Sequence, residues 1–107
     1  MLWEELSWPR IEQCREEEYL VVVPCGSIEQ HGRHLPVITD SAIVFEVSKR
    51  AAEQTPGVLV SPLVQTGFSP HHLDFPGTIS LSLETYVSLI SDVCRSIARH
   101  GFKKIVL

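Results

Sequence analysis

The chain has 107 residues, 44% of them hydrophobic and 21% charged, with a formal net charge of -4 and a pI near 5.7. That length allows one domain, residues 1–107, with a real core, and the acidic balance removes the electrostatic case for nucleic acid or an anionic membrane as partner. No apolar run approaches the roughly 18 residues of a membrane span. Glu4 and Glu5 stand where a secretory leader carries base. Three separated cysteines, Cys14, Cys25 and Cys94, make neither a disulfide framework nor a CxxC pair. The expectation is a cytoplasmic protein in a reducing setting.

Residues 1–18 read as a lead-in segment with a short helix, preceded by Ser7 or Trp8 and opened by Pro9 at its first position. The run Glu16, Glu17, Glu18 reads as a solvated face or turn. Residues 19–24 are uninterrupted, β-branched and ended by Pro24, the pattern of a buried strand. A helix is predicted over 40–54, its apolar stripe formed by Ile43, Val47 and Ala51 with Val44 beside them. Thr39 or Asp40 is placed to cap it. Pro56 and Gly57 end that helix, and 58–64 reads as a second strand. A loop over 65–78 follows, then a brief extended piece at 78–81. Ser82 caps a long helix over 83–99, buried through Leu83, Val87, Ile90, Cys94 and Ile97, with Gly101 just past its end. Residues 103–107 begin a third strand. Helical crossovers of this length imply parallel strands with right-handed connections, so the loops at 25–39 and 65–78 share the carboxyl rim of one sheet. Open α/β proteins place ligands at that rim.

The first rim loop, Gly26-Ser27-Ile28-Glu29-Gln30-His31-Gly32-Arg33-His34, is followed by Asp40. Carboxylate oxygens mixed with imidazole nitrogens suit a borderline or hard divalent ion such as zinc or manganese. Glu29 and His31, at i and i+2, would face opposite ways on an extended backbone, so a shared ion requires the loop to curve. Asp40 is open to two roles, helix cap or ligand. His34 either orients a ligand through a hydrogen bond or is a plain loop histidine. In the second loop His71 and His72 either line a substrate pocket or include a structural donor, and Ser69 is either a substrate contact or a turn former. No strand–GxSxG–helix elbow surrounds Ser27 or Ser69, Cys25 carries no mark of an activated thiolate, and Cys94 reads as core. Gly26, Gly32 and Gly77 read as turn residues, and no phosphate-cradling GxGxxG occurs.

Residues Pro24 to Pro36 with Thr39-Asp40, then Gly67-Phe68-Ser69-Pro70-His71-His72 with Phe75 to Leu81, then Arg99-His100-Gly101-Phe102 with Lys104 to Leu107, resemble three successive blocks of the creatininase (creatinine amidohydrolase) family. The resemblance implies a creatininase-like, three-layer α/β/α fold with a mainly parallel sheet, here truncated after the third parallel strand. It implies that Glu29, His31 and Asp40 are metal ligands, with Asp40 bridging two divalent ions, zinc or manganese. It implies that the family's remaining ligands and its acid–base groups follow the third strand, so that no catalytic residue lies within this chain.

Two functions are weighed on that basis. The first is the amino-terminal part of a metal-dependent amidohydrolase, cleaving a non-peptide C–N bond (cyclic amide or formamide) of a small-molecule substrate with metal-activated water, and inactive as this chain alone. The family resemblance adds homo-oligomers, commonly hexamers. The second is a non-catalytic remnant or subunit that keeps the fold and acts by association, motivated by a hydrophobic strand at the last residues.

Overall fold

The computed structural model describes residues 1–107. Its regular elements are α1 (Trp8–Glu16), β1 (Leu20–Val22), α2 (Thr39–Gln54), β2 (Val58–Val60), α3 (Leu83–Arg99) and β3 (Ile105–Val106), with 3-10 turns at Trp3–Glu5 and Pro70–His72. The strands form one parallel sheet in the order β2-β1-β3, with Val21 opposite Leu59 on one side and Ile105 on the other. The regular strands are shorter than the apolar runs that contain them, because the chain leaves the ladder soon after Val22 and Val60 to build the rim.

The strand order explains where the helices go. The chain steps from β1 outward to β2, then back across β1 to β3. Right-handed crossovers in opposite directions put their helices on opposite faces. The packing agrees: Val21, Val23 and Leu59, all 0% exposed, form one core with Cys14 of α1, Ile97 of α3 and Phe102, while α2 lies against β2 and its buried Ser48 and Ala52 stand outside that cluster. The result is an α/β fold with helices on both faces.

The chain start was not anticipated. The amino group of Met1 donates to Val58 O (3.1 Å) and Val60 N donates to Met1 O (2.9 Å), so Leu2 bridges Val60 in parallel. This covers the outer edge of β2, an edge that would otherwise offer unpaired backbone groups. Trp3 then packs against Phe102, ring centroids 5.4 Å apart.

Three helical expectations are corrected. In α2, Ile43 and Val47 are 58% and 60% exposed, and Ala51 also faces solvent. The buried line is instead Ser41, Ser48 and Ala52, with Val44 and Phe45 half-buried on its shoulders. Small side chains face the sheet because this helix approaches closely, as the rim contacts below require. The cap of α2 is Ile38, with no side-chain bond to the helix. Thr39 Oγ1 donates backward to Pro36 O (2.6 Å), and Asp40 turns toward Ser27. In α3 the inner half of the expected stripe is in place, Ile97 buried and Ile90 packed against the core with Tyr86 and Val93, but Leu83 and Val87 are 58% and 55% exposed. The packed stripe is Tyr86, Ile90, Val93 and Ile97, rotated about the helix axis from the expected one, so that Val87 turns to solvent and Leu83 lies at the exposed start of the helix. Its cap is as expected, Ser82 Oγ accepting from Thr85 N (3.1 Å), and Gly101 adopts the left-handed φ of +96° that ends the helix. Glu16, Glu17 and Glu18 are exposed, as the glutamate run implied.

Candidate metal centre

The ladder between β1 and β2 continues into the loops. Gly26 N donates to Val64 O (2.8 Å) and Val64 N to Pro24 O (2.9 Å), so both loops leave the sheet side by side. Ser41, 0% exposed at the first turn of α2, shares its hydroxyl proton between Ser27 O (2.9 Å) and Gln65 O (2.8 Å), one acceptor from each loop. Gly26 and Gly67 make this approach fit. A Cβ at Gly26 would collide with Ser41 Oγ and meet the Ser41 Cα at 2.6 Å, and one at Gly67 would meet Gly26 O at 2.6 Å. Gly26 is thus a close-approach glycine rather than the turn residue expected, whereas Gly32 and Gly77 do hold positive φ, +72° and +93°. Ser41 and Gly67 were missed as site-building residues; their small size was the only signal in the sequence.

Farther out, Ile79 N donates to Ile28 O (2.9 Å) and Glu29 N to Val37 O (3.0 Å), an arrangement that curves the first loop back on itself. The curvature brings Glu29 and His31 together despite their i, i+2 spacing. His31 Nε2 lies 3.8 Å from Glu29 Oε1 and 3.0 Å from Asp40 Oδ2. The nearer contact is misaligned, and this nitrogen, shielded from solvent, has no hydrogen-bond partner. Asp40 Oδ2 accepts from Ser27 Oγ (2.8 Å). Partial burial by itself would raise the Asp40 carboxyl, but the hydrogen bond from the Ser27 hydroxyl and the neighbouring His31 ring outweigh it and hold Asp40 below the usual carboxylate range.

The second loop reaches the same place. His72 Nε2 lies 3.9 Å from Glu29 Oε1 and Gln30 Nε2 lies 2.9 Å from His72 Nδ1. Gln30 N donates to Thr78 Oγ1 (3.3 Å). His71 is exposed, its ring 4.2 Å from that of His72. Ser69 is 1% exposed, its N donating to Ser80 Oγ (2.8 Å) while its own hydroxyl has no partner; contact with a substrate would require this loop to open. His34 is exposed, its ring over Gly32, with no hydrogen bond to Glu29, His31 or Asp40. The apolar groove of about 640 Å³ beside α3, lined by Trp3, Pro62, Leu81, Leu89 and Val93, contains none of these groups.

Two donor triads therefore share Glu29: Glu29, His31 and Asp40, and Glu29, His71 and His72, the donor atoms of each lying within 4.8 Å of one another. Ligand atoms around a tetrahedral zinc with bonds of 2.0–2.2 Å are roughly 3.3–3.6 Å apart. The 3.0 and 3.8 Å separations about His31 bracket that value, and the imidazole nitrogen between the two carboxylates is shielded from solvent with no hydrogen-bond partner. The first triad fits a divalent cation.

A parallel α/β sheet with carboxylate and imidazole side chains gathered on its carboxyl rim defines the class, an α/β protein with a cluster of oxygen and nitrogen donors at that rim. More specifically, the chain belongs to the creatininase family, whose model, described as creatinine amidohydrolase, matches residues 4–107. It is 35% identical over 109 residues to the creatinine amidohydrolase of Pseudomonas putida, covering 96% of this chain and 42% of that protein. It is 39% identical over 85 residues to the mycofactocin precursor peptide peptidase of Mycolicibacterium smegmatis, covering 75% of this chain and 34% of that one. A solved structure described as creatininase Mn superposes with a TM-score of 0.91 at 34% identity, covering 97% of this chain and 42% of the other, and a mutant creatininase of Zn-Zn type superposes at 0.90. The chain thus spans less than half the length of the relatives it matches. No helix is long and apolar enough to cross a membrane.

Proposed function

We propose that this chain contributes one side of the dinuclear centre of a metal-dependent amidohydrolase that cleaves a cyclic amide or formamide C–N bond of a small molecule. The observation that carries the reading is the solvent-shielded, unpartnered Nε2 of His31 between Glu29 and Asp40. Glu29, His31 and Asp40 hold zinc or manganese, the metals named for the solved relatives. Bound there, a divalent cation supplies Lewis acidity and lowers the pKa of water toward neutrality. The protein's own part is orientation. Ser27 fixes the Asp40 carboxylate, Ser41 ties the two loops to α2, and His71 and His72 line the approach taken by substrate. The remaining donors and acid–base groups are supplied by sequence that the relatives carry beyond the aligned part, in an oligomer working in the cytoplasm.

A second reading, a fold that works by association without catalysis, draws on the exposure of Ile43, Val47, Leu83 and Val87. Calorimetric titration with zinc and manganese separates the two. The metal reading expects binding that falls about tenfold or more in His31→Ala and Glu29→Gln. Wild-type affinity retained in both variants would overturn it and leave association as the surviving function.

A further inference from the structure

Gln30 stands between Glu29 and His31 in the chain, and its side-chain amide contacts both Gly32 and His72. Gly32 N donates to Gln30 Oε1 at 2.9 Å. That contact fixes which end of the amide is oxygen, because the flipped orientation would set an NH2 against a backbone N–H. The other end, Nε2, lies 2.9 Å from His72 Nδ1. An amide nitrogen donates and never accepts, so Nδ1 accepts and carries no proton. In the neutral ring the proton is then on Nε2. This atom faces Glu29 Oε1 at 3.9 Å, too far for a direct hydrogen bond.

We propose that Gln30 is a positioning residue: its amide, oriented by Gly32 N–H, locks His72 in the Nε2–H tautomer, which removes His72 from the cation's ligand set and leaves a hydrogen-bond donor aimed into the gap beside Glu29. A metal-binding imidazole offers a bare lone pair at the ligating nitrogen and donates from the other; His72 is held the opposite way round. The triad of Glu29, His71 and His72 accordingly lacks one of its three lone pairs, while His31 Nε2, between Glu29 and Asp40, makes no hydrogen bond that would withhold it from an ion. The 3.9 Å gap leaves the His72 proton unspent for an acceptor oxygen, of which the carbonyl oxygen of an amide substrate is the matching class. This inference rests on the metal reading above for its functional meaning, but the tautomer itself is independent of any ion.

The test uses the full chain labelled with ¹⁵N-histidine and studied metal-free at alkaline pH, the His72 signals being assigned by their loss in His72→Gln. Two-bond correlations are expected to show a pyrrole-type Nε2 and a pyridine-type Nδ1. Gln30→Glu keeps an acceptor for Gly32 N–H but replaces the donor to His72 by an acceptor, and is expected to move the proton to Nδ1. In zinc titration, His72→Ala should hold within about twofold of wild type while His31→Ala loses about tenfold or more. A wild-type ring protonated at Nδ1, or a loss of zinc affinity in His72→Ala as large as in His31→Ala, would overturn the proposal. Should the wild-type chain bind no zinc at all, the metal reading falls, and the metal-free spectrum still decides the tautomer.

Discussion

The helices α2 and α3 cover opposite faces of the same three strands, and they do so with different side chains. α3 turns Tyr86, Ile90, Val93 and Ile97 toward the apolar core, where volume is what stabilises. α2 turns Ser41, Ser48 and Ala52 inward and leaves Ile43 and Val47 outside. The difference follows from the rim. α2 starts where the two loops must be tied, and only a small side chain that can donate fits between Gly26, Ser27 O and Gln65 O. One face of the sheet is packed for stability and the other for position.

The largest way to break that contrast is on the core side. Leu59→Ala empties a fully buried site and should cost about 2–5 kcal/mol, read as a lowered urea midpoint at unchanged slope. On the α2 side, Gly26→Ala forces a methyl against Ser41 and should cost about 1–3 kcal/mol. Adding Ser41→Gly should not restore stability, because the Ser41 Cα is itself 2.6 Å from the new atom; full recovery in the double variant would show that the side chain alone sets the approach. Ser82→Ala removes the cap of α3 at a cost of about 1 kcal/mol, measured in the same denaturation series.

Acid–base behaviour sharpens the comparison further. Burial pushes the Cys14 thiol up, a shift that the nearby Arg10 opposes without cancelling. The unfolded thiol therefore ionises at a lower pH than the folded one, and the unfolded state binds fewer protons in the window between the two values. Stability is unaffected below the ordinary thiol pKa and declines as pH rises from it toward the folded value. Replacing Cys14 by Val should flatten that alkaline decline in pH-dependent urea melts; an unchanged slope would assign it to other groups. The smallest effect is expected on the outer face of α2, where Ile43→Lys should change stability by no more than about 0.5 kcal/mol. A large loss there would mean that this face is covered in solution.

Much of the architecture is legible in the sequence alone. The β-branched runs at 19–24 and 58–64 announced buried parallel strands, the crossover lengths their direction, and Ser82 with Gly101 the bounds of α3. Glu29, His31 and Asp40 were singled out as a donor set mainly by the resemblance of their loop to the creatininase family, since clustered loop histidines and acids are common without an ion. What misled was periodicity in α2, where the strongest apolar stripe points to solvent. Periodicity reports which residues share a helix face, and cannot report which face a neighbour approaches.

Residue order alone determined that strands alternate with helices, that their loops emerge on one rim, and that these loops carry oxygen and nitrogen donors, since all of this follows from local chemistry and chain connectivity. Only the folded structure decided that Glu29 and His31 turn toward each other, that Ser41, Gly26 and Gly67 interlock, and that Gln30 reaches His72 across 42 positions of chain. Those outcomes depend on distances of a few tenths of an ångström between segments remote in sequence, and such distances are set by packing rather than by any one segment's preferences.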